Sequence, residues 1–152
     1  MKDIMMKITG KHMNKSDELE DDGIEFITEG KAYRKGNSTY VTYRESAVSG
    51  MEGAATTLKI TEDGNVRMKR FGNESSLDTV MEFSPGTRYT GMYETPYGSF
   101  EMELLTNRII NHIEPANLTG SLHIDYEIAL KGLAESRSTL SIQLFDGGVA
   151  MQ

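Results

Sequence analysis

The chain has 152 residues, with 16 Lys and Arg against 23 Asp and Glu, a net charge of -7 and a pI near 5.0. That length suits one domain, 1–152, around one core, and that charge repels nucleic acid and anionic membrane surfaces. Cysteine is absent, which excludes disulfides, thiolate metal sites and a cysteine nucleophile and suits a reducing, cytoplasmic setting; no apolar run reaches signal-peptide or membrane-spanning length.

Ile4, Met6 and Ile8 alternate with Met5, Lys7 and Thr9, a period of two that predicts a strand to about Met13. The run Ser16 to Asp22 is acidic and reads as a solvated hairpin loop, since it lacks the ligand spacing of a calcium loop. Ile24, Phe26 and Thr28 resume the alternation, and Lys35 to Ser38 make a turn before the strand Tyr40 to Glu45. Ser46 to Ala55 is small, polar and glycine-bearing, as a loop at a barrel mouth would be. Thr56 to Thr61 faces Asn65 to Phe71 across Asp63 and Gly64, a strong hairpin signal. Leu77, Thr79, Met81 and Phe83 share one face of the next strand, and Ser84-Pro85-Gly86-Thr87 fits a type II turn.

Tyr89, Gly91, Tyr93 and Thr95 alternate in turn, and a Thr95-Pro96-Tyr97-Gly98 turn leads into Phe100, Met102, Leu104 and Thr106. Asn107 to Thr119 reads as irregular, broken by Pro115. Leu122, Ile124, Tyr126, Ile128 and Leu130 then face Leu140, Ile142 and Leu144 across Gly132, a long hairpin that is polar on one side and apolar on the other. Such a hairpin is marginal alone and needs partners. Sequential hairpins at short spacing predict an all-β, single antiparallel up-and-down β-barrel of about ten strands. The tail after Asp146 is glycine-rich, as fraying ends are.

No motif identifies catalytic chemistry. His12, His112 and His123 lack zinc spacing, and His123 falls on the solvent face. No serine sits in a nucleophile elbow, and alternation puts Glu101 and Glu103 outside. Gly147 and Gly148 have no helix to follow, as a phosphate loop requires. No catalytic residue, metal or cofactor is expected. Ten methionines and no tryptophan suit a forgiving core or an adaptable pocket. Arg70, in phase with Val66 and Met68, should point inward or lie at a rim, where it must be paired or hydrogen-bonded. Either it pairs with a carboxylate such as Glu82, or it meets a ligand anion in a pocket shared with Tyr93, Thr106 and Tyr126.

Arg70-Phe71-Gly72, Met81-Glu82-Phe83, Gly86, the stretch Tyr93 to Gly98 and the Tyr126-bearing hairpin from Gly120 to Gly132 together resemble the YwiB-like family. The resemblance covers most of the chain. It implies a calycin-type, lipocalin-like β-barrel in small bacterial proteins and carries no established activity. The glycine-any-tryptophan signature of lipocalins is missing, so lipocalin transport is an analogy of fold alone.

The expected function is non-enzymatic binding of a small, partly apolar, anionic ligand, with Arg70, Tyr93, Thr106 and Tyr126 as the binding residues. The alternative is a protein-interaction module with a side-chain-filled barrel that uses its outer face, as a homodimer or heteromer, through Met5, Met13, Ile27, Val80 and Met92.

Overall fold

A computed structural model describes residues 1–14, 17–44, 54–71, 78–95, 98–132 and 134–147. The strands are β1 (Lys2–Asn14), β2 (Asp17–Lys35), β3 (Ser38–Arg44), β4 (Ala55–Ile60), β5 (Val66–Phe71), β6 (Thr79–Phe83), β7 (Arg88–Thr95), β8 (Gly98–Asn111), β9 (Gly120–Leu130) and β10 (Ala134–Asp146). They form one antiparallel sheet in the order β6-β5-β4-β3-β2-β1-β10-β9-β8-β7. Each strand pairs with its sequence neighbour except across β6 and β7, and β1 closes the sheet by pairing with β10. Strands β6 and β7 lie against each other without a ladder. The result is a nearly closed, calycin-like barrel whose seam exposes two short edges, a tolerable liability at these lengths. No helix among the described residues is long and apolar enough to cross a membrane.

Alternation places the core. Ile4, Met6 and Ile8 on β1 point inward with Leu122, Ile124 and Tyr126 on β9, Met102 and Leu104 on β8, and Ile142 and Leu144 on β10; from the other wall Val41, Leu58, Met68, Met81 and Phe83 meet them. Met6, Leu58, Met102, Leu104 and Ile124 have no exposed surface, so the middle of the barrel is filled by side chains.

The two ends differ. At one, β2–β3, β4–β5 and β6–β7 are joined by tight turns. The Ser84–Thr87 turn has Thr87 N donating to Ser84 O at 2.9 Å, with Gly86 at φ 76°, which is the positive φ that the third position of a type II turn requires. The segment between β8 and β9 covers the core at this end through buried Ile113 and Leu118. At the opposite end β1, β3, β5, β7 and β9 finish, and Arg70, Tyr93 and His12 all stand within three residues of their strand ends there.

Two stretches depart from the sequence reading. Residues 17–22 are strand, not loop: β2 pairs with the far part of β1 through His12–Asp22 and, across a bulge, Asn14–Asp17. Backbone pairing decides there, and a sequence with acids at odd and even positions alike, Asp17, Glu18, Glu20, Asp21 and Asp22, shows no apolar period. Likewise Asn107 to Asn111 continue β8 beyond a register shift between Thr106 and Arg108. The bulge inserts one residue and reverses the parity, which makes an ordered strand look irregular. The expected mouth loop at Ser46 to Ala55, the Pro96-Tyr97 turn and the tail beyond Gly147 lie mostly or wholly outside the described residues.

Candidate functional site

Register builds a polar row inside the barrel. Thr106 on β8 stands opposite Tyr126 on β9, Tyr126 opposite Ser138 on β10, and Ser138 opposite His12 on β1. All four continue inward-facing alternations. His12 Nδ1 lies 2.6 Å from Ser138 Oγ, and Ser138, itself buried, stands beside buried Tyr126 in register. The Tyr126 ring packs edge-on to Phe83, with centroids 5.1 Å apart and planes at 67°, a favourable aromatic geometry.

From the other wall comes Arg70, whose register partners Thr56 and Thr79 are both buried. Its Nε is a buried atom. Burial pushes the Tyr126 hydroxyl up to about 12, the neighbouring Tyr93 hydroxyl adds to the rise, and the Ser138 hydrogen bond and the Arg70 charge oppose it. Tyr126 is therefore a proton-bearing hydroxyl at neutral pH, suited to donate a hydrogen bond rather than to act as a base. Of the residues picked out from alternation alone, Arg70 and Tyr93 each act on the Tyr126 hydroxyl, and Thr106 adjoins Tyr126 in register. His12 and Ser138 join them. Both could have been found by extending the β1 phase from Ile4 through Gly10 to His12, and the β10 phase from Leu144 back to Ser138.

Thr106 Oγ1 is buried with no hydrogen-bond partner among the described residues. A buried, unsatisfied hydroxyl costs about 1–3 kcal/mol, while valine has the same shape without it. Thr106→Val should therefore raise the stability of the ligand-free protein by about 1 kcal/mol, about 2–4 °C in melting temperature at this size. An unchanged or lower melting temperature would show that the hydroxyl is satisfied.

Glu82 does not serve Arg70: it is exposed and pairs with Arg67 at 3.7 Å. The outer surface is laced with other cross-strand pairs, Lys7–Glu25 at 2.9 Å, Arg88–Glu103 at 2.6 Å and Lys131–Glu101 at 3.4 Å, so Glu101 and Glu103 are ordinary outer-face acids. His123 Nδ1 lies 2.8 Å from Ser141 Oγ on this face. Since His12 points inward, the two imidazoles do not meet, and no three His, Cys, Asp or Glu among the described residues are grouped to hold a metal.

Asp125 is the best-supported outer acid. Arg137 holds it with Nε at 3.2 Å and Nη2 at 2.8 Å, and Asn107 donates at 3.3 Å. The Arg137 hydrogen bond, chiefly, holds its carboxyl below the usual carboxylate range, against an opposing effect of burial. A carboxyl depressed in the folded state stabilises above its unfolded value, near pH 4, and loses that contribution as pH falls through the folded value. Asp125→Asn should thus lower stability to urea at neutral pH and flatten its fall below about pH 4. An acid limb as steep as that of the unsubstituted protein would assign the fall to other groups.

Two surface clefts, of about 770 and 760 Å³, lie elsewhere. The first is lined by Glu101, Glu103 and Glu135 against Lys131 and does not favour an anion. The apolar residues expected outside do not form one patch: Met5 stands beside exposed Phe145 and diagonal to Ile27, whereas Val80 and Met92 are on β6 and β7, across the barrel. The side chain of Met13 lies outside the described residues.

A family model described as a domain of unknown function, DUF1934, matches residues 6–142. Among solved structures the chain is similar to the ywiB protein from Bacillus subtilis, with a TM-score of 0.76 and 19% identity over 96% of this chain and 92% of that one. That likeness is one of fold. No curated protein matches. Since that family model spans most of the chain, the chain belongs to the DUF1934 family, and it shares its fold with the ywiB protein.

Proposed function

We propose that this protein binds a small, partly apolar anion inside one end of its barrel without transforming it. Arg70 anchors the anionic group, the hydroxyls of Tyr126 and Thr106 donate to it, and Tyr93 with the neighbouring apolar wall covers the rest. What supports this reading is that Tyr126, Thr106 and the Nε of Arg70 are buried on inward-facing positions of the barrel, with the Arg70 charge acting on the Tyr126 hydroxyl. A guanidinium beside a proton-bearing phenol, in a low-dielectric wall, complements a carboxylate, sulfonate or phosphate ester and repels a cation. The net charge of -7 leaves the surface as a whole a poor place for such a ligand.

Calorimetric titration with octanesulfonate and with octylamine tests it. The sulfonate should bind and the amine should not, because their apolar tails match and only the head-group charge differs. Equal affinities would reduce the interaction to a greasy contact, and absence of sulfonate binding would remove the anion site. In this reading Thr106→Val exchanges binding for stability, weakening the sulfonate while raising the melting temperature.

A further inference from the structure

We propose that the outer face of β3, β4 and β5, with the adjoining end of β2, is a docking surface for single-stranded RNA. It lies outside the barrel and is independent of the anion site within. The charge of -7 is unevenly spread: β3, β4 and β5 contain Arg44, Lys59, Arg67, Lys69 and Arg70 and no Asp or Glu. Arg70 follows the inward phase, and alternation turns the other four outward, beside Lys31 and Lys35 of β2. The repulsion of nucleic acid expected from the net charge is a property of the whole surface; screened beyond about 8 Å at physiological salt, it does not govern this face.

Register sets the face out in rows. Tyr33, Tyr40, Lys59 and Arg67 stand side by side on four successive strands, and Lys31, Thr42, Thr57 and Lys69 form the next row. Arg44, Ala55 and Phe71 make a third. Lys59 and Arg67 are therefore like charges directly opposite each other, an arrangement that weakens a sheet and that a bound anion relieves. Arg67 has Glu82 at 3.7 Å and Lys31 has Asp3 at 2.7 Å. Lys35, Arg44, Lys59 and Lys69 have no carboxylate partner among the described residues.

Aromatic rings stand among these cations. Tyr33 and Tyr40 are stacked, with centroids 5.0 Å apart and planes at 6°. The Lys59 ammonium lies 5.9 Å from the centre of the Tyr40 ring, and that of Lys69 4.9 Å from the ring of Phe71, which is 40% exposed. A ring beside a cation suits one nucleotide, base against ring and phosphate against ammonium. This favours a nucleic acid over an acidic polypeptide, whose carboxylates would use the cations and leave the rings idle. A duplex keeps its base faces inside its own stack, so the strand must be single. The Thr42 and Thr57 hydroxyls, 3.2 Å apart between Lys31 and Lys69, offer donors and acceptors to a ribose 2′-hydroxyl, which selects RNA. Four strands spaced by about 4.8 Å make a face about 14 Å wide. Glu29 on β2, Glu82 on β6 and the Glu62–Asp63 turn bound it, leaving room for about two or three stacked bases.

Fluorescence anisotropy of a labelled short oligouridylate with the full chain tests this. Affinity should fall with salt at a log–log slope of about -2 to -3, the value for about three or four neutralised phosphates. Lys59→Gln with Lys69→Gln, both outward and expected to keep the cooperative melt, should weaken binding at least about tenfold at low salt and reduce the slope by about 1.4. Phe71→Ala should weaken it at least about fivefold and leave the slope unchanged, because it removes stacking and no charge. Oligodeoxyuridylate, which lacks only the 2′-hydroxyls, should bind several-fold more weakly, and oligoglutamate should not compete. Absence of oligouridylate binding at low salt, or binding untouched by the double lysine substitution, overturns the surface. Competition by oligoglutamate at equal charge concentration overturns the nucleic-acid assignment in favour of an acidic polypeptide. Equal affinity for the ribose and deoxyribose strands overturns the assignment to RNA.

Discussion

Arg70→Met should weaken octanesulfonate binding by about 100-fold or more, measured by calorimetry at neutral pH. Methionine keeps the length and the apolar stem of the side chain and removes only the guanidinium. Arg70 comes from β5, with Thr56 and Thr79 beside it in register, and its charge acts on the Tyr126 hydroxyl. A charged hydrogen-bond donor in such a wall is worth several kcal/mol to an anion, because the alternative is an anion buried without a counter-charge. The same substitution should leave the far-ultraviolet spectrum and the cooperative melt in place, since the filled middle of the barrel does not depend on it. Affinity within about threefold of the unsubstituted protein would show that the anion lies elsewhere.

The largest effect on stability should come from Gly120→Ala, a loss of about 3 kcal/mol or more in urea unfolding. Gly120 begins β9 at φ 132°, a conformation that L side chains rarely adopt. Space is lacking as well: a Cβ there would strike the His112 carbonyl oxygen and stand 2.9 Å from Ile113 Cα. Both are backbone, so relief requires moving the segment that carries Ile113 and Leu118 over the core. It also requires disturbing the Gly120–Leu144 pairing that starts the β9–β10 ladder. A loss below about 1 kcal/mol would mean that this segment yields easily and contributes little to the closed end.

What could be read from the chain follows from which residues keep a period of two. The β9–β10 hairpin was legible because Leu122, Ile124, Tyr126, Leu140, Ile142 and Leu144 hold it without interruption, and register then fixed Tyr126 inside. The inward phase of Arg70 and Thr106 was legible in the same way, from the buried neighbours Val66, Met68, Met102 and Leu104, whereas Tyr93 is in phase only with half-buried Tyr89 and Gly91. Two ordered stretches were hidden. Residues 17–22 have acids at odd and even positions alike, so no apolar alternation in the sequence marks their pairing with β1, and the bulge after Thr106 reverses the parity of β8. Partners across the barrel were not legible at all. That Glu82 goes to Arg67, and that His12 reaches Ser138 rather than His123, depends on strand order and on which strand closes the sheet, and no local pattern carries that information.

Native mass spectrometry of the freshly purified protein, beside the same sample after denaturation and beside Arg70→Met, is the most direct test of a binding barrel. The expected result is an added mass from a small anionic molecule that is lost on denaturation and missing from Arg70→Met. Protein at its bare sequence mass in every sample, together with no octanesulfonate binding, would contradict a ligand site. It would leave a barrel filled by its own side chains, acting through its outer face.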